Sequence, residues 1–267
     1  MESLTKSCDL EAFWAHLRTA EMALLLLDFD GTLSPFVTNP QEAKPYPGVV
    51  ELLEGIEQRT RARLVVISGR ELESLELCLG MKPAPELWGC HGWQRRLAGG
   101  EQQQLELPAE AEILLRQAEW LTQQAGYAEK LERKPVSLAL HWRGMTAAEK
   151  DQMQPLIKQW QRLGLGAELQ LHDFDGGVEL RCSGVDKGTA VRQLLKEVTE
   201  STAVAYLGDD RTDEDAFRAL GQRGLKVLVR PECRETDAEL WLQPPDELLW
   251  FLRKWCEARG ESCGSSA

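Results

Sequence analysis

The sequence predicts an α/β protein: a Rossmann-like, doubly wound parallel sheet interrupted by an inserted α+β module. Three observations carry this reading. Short apolar runs such as Ala23 to Leu27 stop abruptly at Asp, Ser or Gly, as strands buried on both faces of a parallel sheet do. Strand-like and helical segments alternate at both ends of the chain. In between, the rhythm changes to an αββαββ order of roughly 75 residues. The core is therefore expected at 1–104 and 180–267, around an inserted cap at 105–179.

Each element follows from its residues. Glu11 to Ala20 is read as a helix with Phe13, Trp14 and Leu17 on one face. Ala23 to Leu27 is read as the first buried strand, stopped by Asp28-Phe29-Asp30-Gly31-Thr32; Leu is not a strong strand former, so a helix is the alternative, and the shortness of the run and the Gly31 stop favour the strand. Pro47 to Thr60 is read as a helix with Pro in its first turn. Arg63 to Ile67 is a strand closed by Ser68-Gly69-Arg70, Glu71 to Leu79 a helix, and Leu87 to Cys90 a third strand. The inserted module begins with a helix at Ala109 to Gln124. Strands are expected at Tyr127 to Arg133 and at Val136 to Trp142, the second alternating Val136, Leu138 and Leu140 against Ser137, Ala139 and His141. A helix at Thr146 to Leu163 is expected to be kinked or divided by Pro155. Strands at Ala167 to His172 and Val178 to Cys182 flank a turn at 173–177. The first rhythm then resumes: a helix at Asp186 to Glu200, a strand at Ala203 to Leu207, a helix at Thr212 to Leu220, a strand at Leu225 to Val229 and a helix at Asp246 to Arg259. The tail, Glu261 to Ala267, is expected to be disordered.

Composition narrows the function classes. The 267 residues are 43% hydrophobic and 28% charged, the balance of a soluble globular chain. The net charge of −12 argues against a sequence-independent nucleic-acid binder, which needs a basic face. The longest apolar run, Met22 to Leu27, is too short to cross a bilayer, and the N-terminus lacks a signal-peptide pattern. The seven cysteines form no CxxC pair and no zinc pattern, so reduced thiols in a cytoplasm are expected.

Four clusters share one placement: Asp28/Asp30, Ser68, Lys187 and Asp209/Asp210/Asp213 each lie at a predicted strand end or helix start. In open parallel sheets the carboxyl ends of the strands form the ligand crevice. A carboxylate at a strand tip, Asp28, can attack phosphorus. A second one, Asp30, can protonate the leaving oxygen and later activate water. Taken alone, Asp30-Gly31 also fits a plain turn. The run from Asp209 to Asp215 holds five acids in seven residues. Carboxylates without His or Cys nearby suit a hard cation such as Mg²⁺. Ser68 and Arg70 can bind phosphate oxygens, and Lys187 supplies the cation a transferring phosphoryl group needs. Each is commonplace in isolation: Ser68-Gly69 as a turn, Lys187 as a surface lysine.

Together, DFDGT, Ser68, Lys187 and GDDRTD resemble the four motifs of the haloacid dehalogenase superfamily in order and spacing. The Asp at plus two, Asp30, is similar to that of its phosphatases and phosphomutases. The αββαββ insertion resembles the type IIB cap. Within that superfamily LLLLDFDGTLSPF, VISGR, HGW, GVELRCSGVDKGTAV and YLGDDRTDEDAF look like the trehalose-6-phosphate phosphatases, a likeness running from about Leu24 to Phe251. Cys182 stands where that family often has Pro, and Cys90 where Asn or Glu is commoner. The resemblance implies Mg²⁺-dependent hydrolysis of trehalose 6-phosphate through an aspartyl-phosphate. Asp28, Asp30 and Lys187 would be catalytic. Asp28, Asp30 (by its carbonyl), Asp209, Asp210 and Asp213 would hold the metal. Ser68, Gly69, Arg70, His91, Glu132, Lys134, His141, Arg143 and Glu179 would bind the phosphate and sugar. From the residues alone, Glu132, Lys134 and Arg143 equally fit a solvated sheet face. The alternatives are another glycosyl phosphate (of sucrose, mannosylglycerate or glucosylglycerate type), a phosphomutase, or a sensor without turnover. The partners implied are a small sugar phosphate and an upstream trehalose-6-phosphate synthase, with the chain a monomer or weak dimer, and neither nucleic acid nor membrane.

Overall fold

The computed structural model describes residues 2–5, 9–37, 39–104, 107–164, 166, 168–174 and 176–260. The predicted tail and Cys8 and Cys263 lie outside them. The other five cysteines are free thiols, and no helix among the described residues is long and apolar enough to cross a membrane. The chain divides into two compact units, Met1–Gln103 with Asp186–Ala267, and Gln104–Val185.

In chain order the first unit holds β1 (Glu2–Ser3), α1 (Leu10–Thr19), β2 (Ala23–Leu27), α2 (Val49–Arg59), β3 (Ala62–Ile67), α3 (Leu72–Leu79), β4 (Glu86–Gly89), β5 (Gln94–Arg96) and β6 (Gln102–Gln104). The second unit holds α4 (Ala109–Gln124), β7 (Leu131–Lys134), β8 (Ser137–His141), α5 (Ala147–Leu163), β9 (Leu169–Phe174) and β10 (Gly177–Cys182). The first unit is then completed by α6 (Lys187–Lys196), β11 (Ala203–Gly208), α7 (Asp213–Leu220), β12 (Leu225–Val229), β13 (Leu240–Leu242) and α8 (Asp246–Ala258).

The larger sheet has the order β1-β13-β12-β11-β2-β3-β4-β5-β6. The six strands from β13 to β4 are parallel, as the continuous apolar runs predict. Every residue of β2 is buried, because both faces of the sheet are covered. Leu25 and Leu27 pack with Leu53, Ile56, Phe251 and Trp255 of α2 and α8. Leu24 and Leu26 pack with Val191, Leu194 and Phe217 of α6 and α7. From β2 the chain winds outward through β3 and β4 on one side, and later through β11, β12 and β13 on the other. The reversal of winding lies between β2 and β11, where a doubly wound sheet opens its crevice.

In the second unit an antiparallel sheet, β7-β8-β10-β9, carries α4 and α5. Register separates two faces. Leu138, Leu140, Val178, Leu180 and Leu169 lie on one; Glu132, Ser137, Ala139, His141, Glu179 and His172 lie on the other.

Several expectations are corrected. Helix α5 is not divided: it runs through Pro155 as one helix, with Pro155 on the exposed side and Met153, Leu156, Ile157 and Trp160 on the buried side. The expected strand from Tyr127 starts only at Leu131, after a short 3₁₀ turn at Ala128–Lys130. Helix α6 ends at Lys196 rather than Glu200; Glu197, its C-cap, is drawn into ion pairs with Arg63 and Arg95. The short strands β1, β5, β6 and β13 were not expected. QRR and QQQ carry no apolar pattern, and their pairing depends on a neighbouring strand rather than on their own side chains.

Candidate active site

Asp28 leaves the tip of β2 with its backbone N–H still paired to the Leu207 carbonyl at 2.9 Å. That bond places it beside the end of β11, which delivers Asp209. Asp28 is buried, only 3% exposed. Its Oδ1 accepts from Lys187 Nζ at 2.6 Å and its Oδ2 from the Thr32 hydroxyl at 3.0 Å. Lys187 is the first residue of α6, after the N-cap Asp186, so the helix start points its ammonium inward. The same ammonium donates to Asp213 Oδ1 at 2.7 Å.

Asp213 is saturated. The Tyr206 hydroxyl donates to Oδ1 at 2.6 Å, and the N–H groups of Asp209 and Asp210 donate to Oδ2 at 3.0 Å each. Asp209 is the opposite case: both its carboxylate oxygens are buried and accept no hydrogen bond among the described residues. A buried polar atom without a partner demands an explanation. Oxygens of Asp28, Asp209 and Asp213 lie within 4.8 Å of one another, and three carboxylates face one ammonium. An all-oxygen set with excess negative charge fits a hard divalent cation.

The electrostatics agree. Burial pushes the Asp28 carboxyl up to about 7; Lys187 pulls it down, and Asp213 and Asp30 push it up. Burial, then Asp28 and Asp213, raise Asp209 well above the usual carboxylate range. Burial disfavours the Lys187 ammonium, but Asp213 and Asp28 outweigh it and hold it charged. The folded, metal-free chain thus keeps protons that the unfolded chain releases from about its ordinary carboxylate value of 3.8 upward. Stability from this source is present at low pH and is lost as pH rises through about 7. Glu112, Glu132, Glu149 and Glu197, held below their usual values, act oppositely but finish ionising by about pH 5.5. In chelator the melting temperature should fall between about pH 5.5 and 8, and Mg²⁺ should restore it most at pH 8. A flat profile in both conditions would contradict this account of the cluster.

Gly31 is dictated by the same geometry. Its φ is +89°, and a Cβ there would lie 2.2 Å from Asp209 Oδ2. Gly31→Ala should reduce turnover by about 100-fold or more, since a displacement of about 1 Å suffices; kinetics with folding checked by circular dichroism test it.

The second cluster joins the first through an ion pair. Arg70 grips Asp30 with both Nε and Nη2 at 2.6 Å and donates Nη1 to the Pro40 carbonyl at 2.7 Å. Its guanidinium is therefore engaged by Asp30, while its N–H bonds Ser68 Oγ at 3.1 Å. Ser68 is 1% exposed and its carbonyl accepts from His91 N–H at 2.9 Å. His91 packs so closely on Gly69 that a Cβ there would lie 2.7 Å from the imidazole. Cys90 and His91 both adopt left-handed φ, 48° and 57°, a conformation that holds the imidazole in place. Of the five acids expected at the metal, Asp28, Asp209 and Asp213 form the triad. The Asp30 carboxylate faces Arg70, and Asp210 contributes backbone contacts.

The five residues expected in the cap gather on the second unit's sheet. Lys134 Nζ lies 3.2 Å from Glu179 Oε1, His141 Nε2 lies 2.8 Å from Glu132, and Arg143 lies against Gly176. Burial opposes ionisation of Glu132, yet His141 and Lys134 prevail and hold it below the usual range. Sequence reasoning missed Ser137, whose hydroxyl donates to Glu179 at 2.6 Å. It also missed Tyr206, Arg230 and Arg234. Only Tyr206 left a signal: one phenol inside a buried strand must find a partner.

A trehalose-phosphatase profile matches residues 26–243. The trehalose-phosphate phosphatase of Mycobacterium marinum is 31% identical over 246 residues, covering 87% of this chain and 61% of that protein. An alpha,alpha-trehalose-phosphate synthase [UDP-forming] B of Dictyostelium discoideum is 29% identical over 230 residues, 82% of this chain and 28% of that one. The chain thus spans less than two thirds of both relatives. The C-terminal domain of Candida albicans trehalose-6-phosphate phosphatase superposes with a TM-score of 0.79 over 96% of this chain and 99% of that one; at 23% identity this speaks for the fold. Aspergillus fumigatus trehalose-6-phosphate phosphatase follows at 26% identity and a TM-score of 0.67, covering 94% and 98%. The profile match over most of the chain decides the matter: the chain belongs to the trehalose-phosphatase family.

Proposed function

We propose that the chain is a divalent-cation-dependent phosphatase that releases trehalose from trehalose 6-phosphate. The observation that carries this is the bare, buried Asp209 carboxylate beside an Asp28 held by Lys187 at 2.6 Å. Family membership and the names of its relatives support the substrate.

In this reading an Asp28 oxygen attacks phosphorus as the bond to the sugar oxygen breaks. Asp30 passes a proton to that departing oxygen, leaving an aspartyl-phosphate on Asp28. Asp30, now a base, takes a proton from water. The water oxygen bonds to phosphorus and the Asp28–phosphorus bond breaks, yielding inorganic phosphate. Lys187 and the Ser68 hydroxyl compensate charge on the phosphoryl oxygens. Mg²⁺, held by Asp28, Asp209 and the Asp30 carbonyl with Asp210 and Asp213 in support, would supply further positive charge at those oxygens. The Arg70 fork occupies both Asp30 oxygens, so in this reading proton delivery to the departing oxygen requires that fork to open.

Glu132, Lys134, His141, Arg143 and Glu179 are assigned to the sugar hydroxyls. The cap as a whole then sets specificity, and a trehalose-phosphate synthase supplies the substrate. The test is phosphate release with Mg²⁺ across trehalose, sucrose, mannosylglycerate and glucose phosphates. Trehalose 6-phosphate should give the highest kcat/KM. A higher value for another member would replace the substrate, and phosphate retained on a sugar product would replace the reaction class.

A further inference from the structure

No donor among the described residues touches the Asp209 carboxylate, so its direction is set by its backbone and by close packing on Gly31. What fixes that backbone therefore helps to fix the carboxylate. On one side Asp213 Oδ2 takes the N–H groups of Asp209 and Asp210. On the other side a single guanidinium takes the carbonyls of the same two residues. Arg234 Nε donates to the Asp209 carbonyl at 3.1 Å and Nη2 to the Asp210 carbonyl at 2.7 Å. Arg230 adds a longer bond, 3.3 Å, to the first of these.

Arg234 is itself held in place. Its Nη1 pairs with Glu214 Oε1 at 2.5 Å, with the two side chains 18% and 14% exposed, and donates to the Glu235 carbonyl at 2.8 Å. The Thr236 hydroxyl and the Asp237 N–H also donate to Glu214, at 2.8 Å each. The loop after β12 is thereby fastened to the start of α7, with the Asp209-Asp210 loop clamped between them. A planar fork can bracket two consecutive carbonyls; an ammonium offers no such fixed geometry.

We propose that Arg234 is a positioning residue that aims the Asp209 carboxylate and so sets how tightly the acidic cluster holds a divalent cation. This rests on the phosphatase reading above. Groups that orient metal ligands typically change metal affinity by about 10- to 100-fold when removed.

The test is a thermal-shift titration of the full chain with MgCl₂, without substrate, for the wild type, Arg234→Met and Arg234→Lys. The Mg²⁺ concentration giving half the maximal shift should rise about 10-fold or more in Arg234→Met and by a smaller factor in Arg234→Lys. At saturating Mg²⁺ the KM for trehalose 6-phosphate should stay within about two-fold of wild type, because Arg234 acts on the metal side. A merely structural role would lower the melting temperature in chelator and leave the Mg²⁺ midpoint alone; that result overturns the proposal. Should Arg234→Met not fold, Arg234→Lys decides by the same criterion. A wild-type chain with no Mg²⁺ response would remove the cation reading and this inference with it, whereas a responsive wild type with unmoved variants removes only the role of Arg234.

Discussion

Asp28→Asn should abolish phosphate release, lowering kcat by at least about 10⁴-fold. The amide nearly matches the carboxylate in shape: its oxygen can still accept from Lys187 while its NH₂ donates to the Thr32 hydroxyl in a reversed bond, so the neighbouring strand ends have no reason to move. What is lost, on the proposed mechanism, is the nucleophile. The amide cannot form the phosphoryl-oxygen bond on which both half-reactions depend, so neither Lys187 nor a bound cation can compensate. Stability should not fall with activity. Burial, aided by Asp213, pushes the Asp28 carboxyl up to about 7 in spite of Lys187, so at pH 8 removing its charge relieves more than the lost ion pair costs, and Lys187 keeps its bond to Asp213. The variant should melt in chelator at or above the wild-type temperature. An inactive but well-folded protein separates loss of chemistry from loss of fold. Turnover above about one per cent of wild type would remove Asp28 as the nucleophile.

Lys187→Met should strongly destabilise the unliganded fold. Lys187 is 3% exposed and bonded to two buried carboxylates at 2.6 and 2.7 Å. Breaking a buried ion pair from one side leaves uncompensated charge and typically costs about 3–5 kcal/mol. Here Asp28, Asp209 and Asp213 would face one another with no cation of the chain between them. Urea denaturation in chelator should show a loss of that order, larger at pH 8 than at pH 5.5, because protonation relieves the cluster at lower pH. Mg²⁺ should recover part of the stability. It should not recover kcat, which is expected to drop by at least about 10³-fold, since on the proposed mechanism the ammonium also compensates the transferring phosphoryl group. Wild-type stability in chelator would contradict the electrostatic account of the cluster, and wild-type turnover the assignment of Lys187 to the phosphoryl group.

How much of this was legible in the chain depends on how local the signal is. Strand β2 was legible because five apolar residues stopped at once by Asp and Gly are too short a run for the alternative, a buried helix. The start of α6 was legible because Asp186 caps it one residue before Lys187. Glu132, Lys134, His141, Arg143 and Glu179 could be named from family likeness, but their pairings could not. Lys134 meets Glu179 across 45 residues, a contact set by the register of β7, β8 and β10. Strands β5 and β6 were not legible, because Gln and Arg runs form a strand only when a neighbour offers a ladder. Pro155 misled for a related reason. The local rule allows a Pro to divide a helix, but an exposed Pro can be carried by one whose opposite side is anchored.

The sequence by itself determined the alternation of strands and helices, the inserted module, and which carboxylates and which lysine are available for chemistry. Those are properties of residue type, spacing and burial pattern, each decided within a few positions. Only the tertiary structure decided that Arg70 is held by Asp30 across 40 residues, that Asp213 is saturated while Asp209 is bare, and that Arg234 grips the loop from 24 and 25 residues away. The physical reason is that hydrogen-bond partners and Coulomb fields depend on distance in space. Parallel-sheet winding sets those distances by joining β2 to β11 along their whole length, though about 180 residues separate them in the chain.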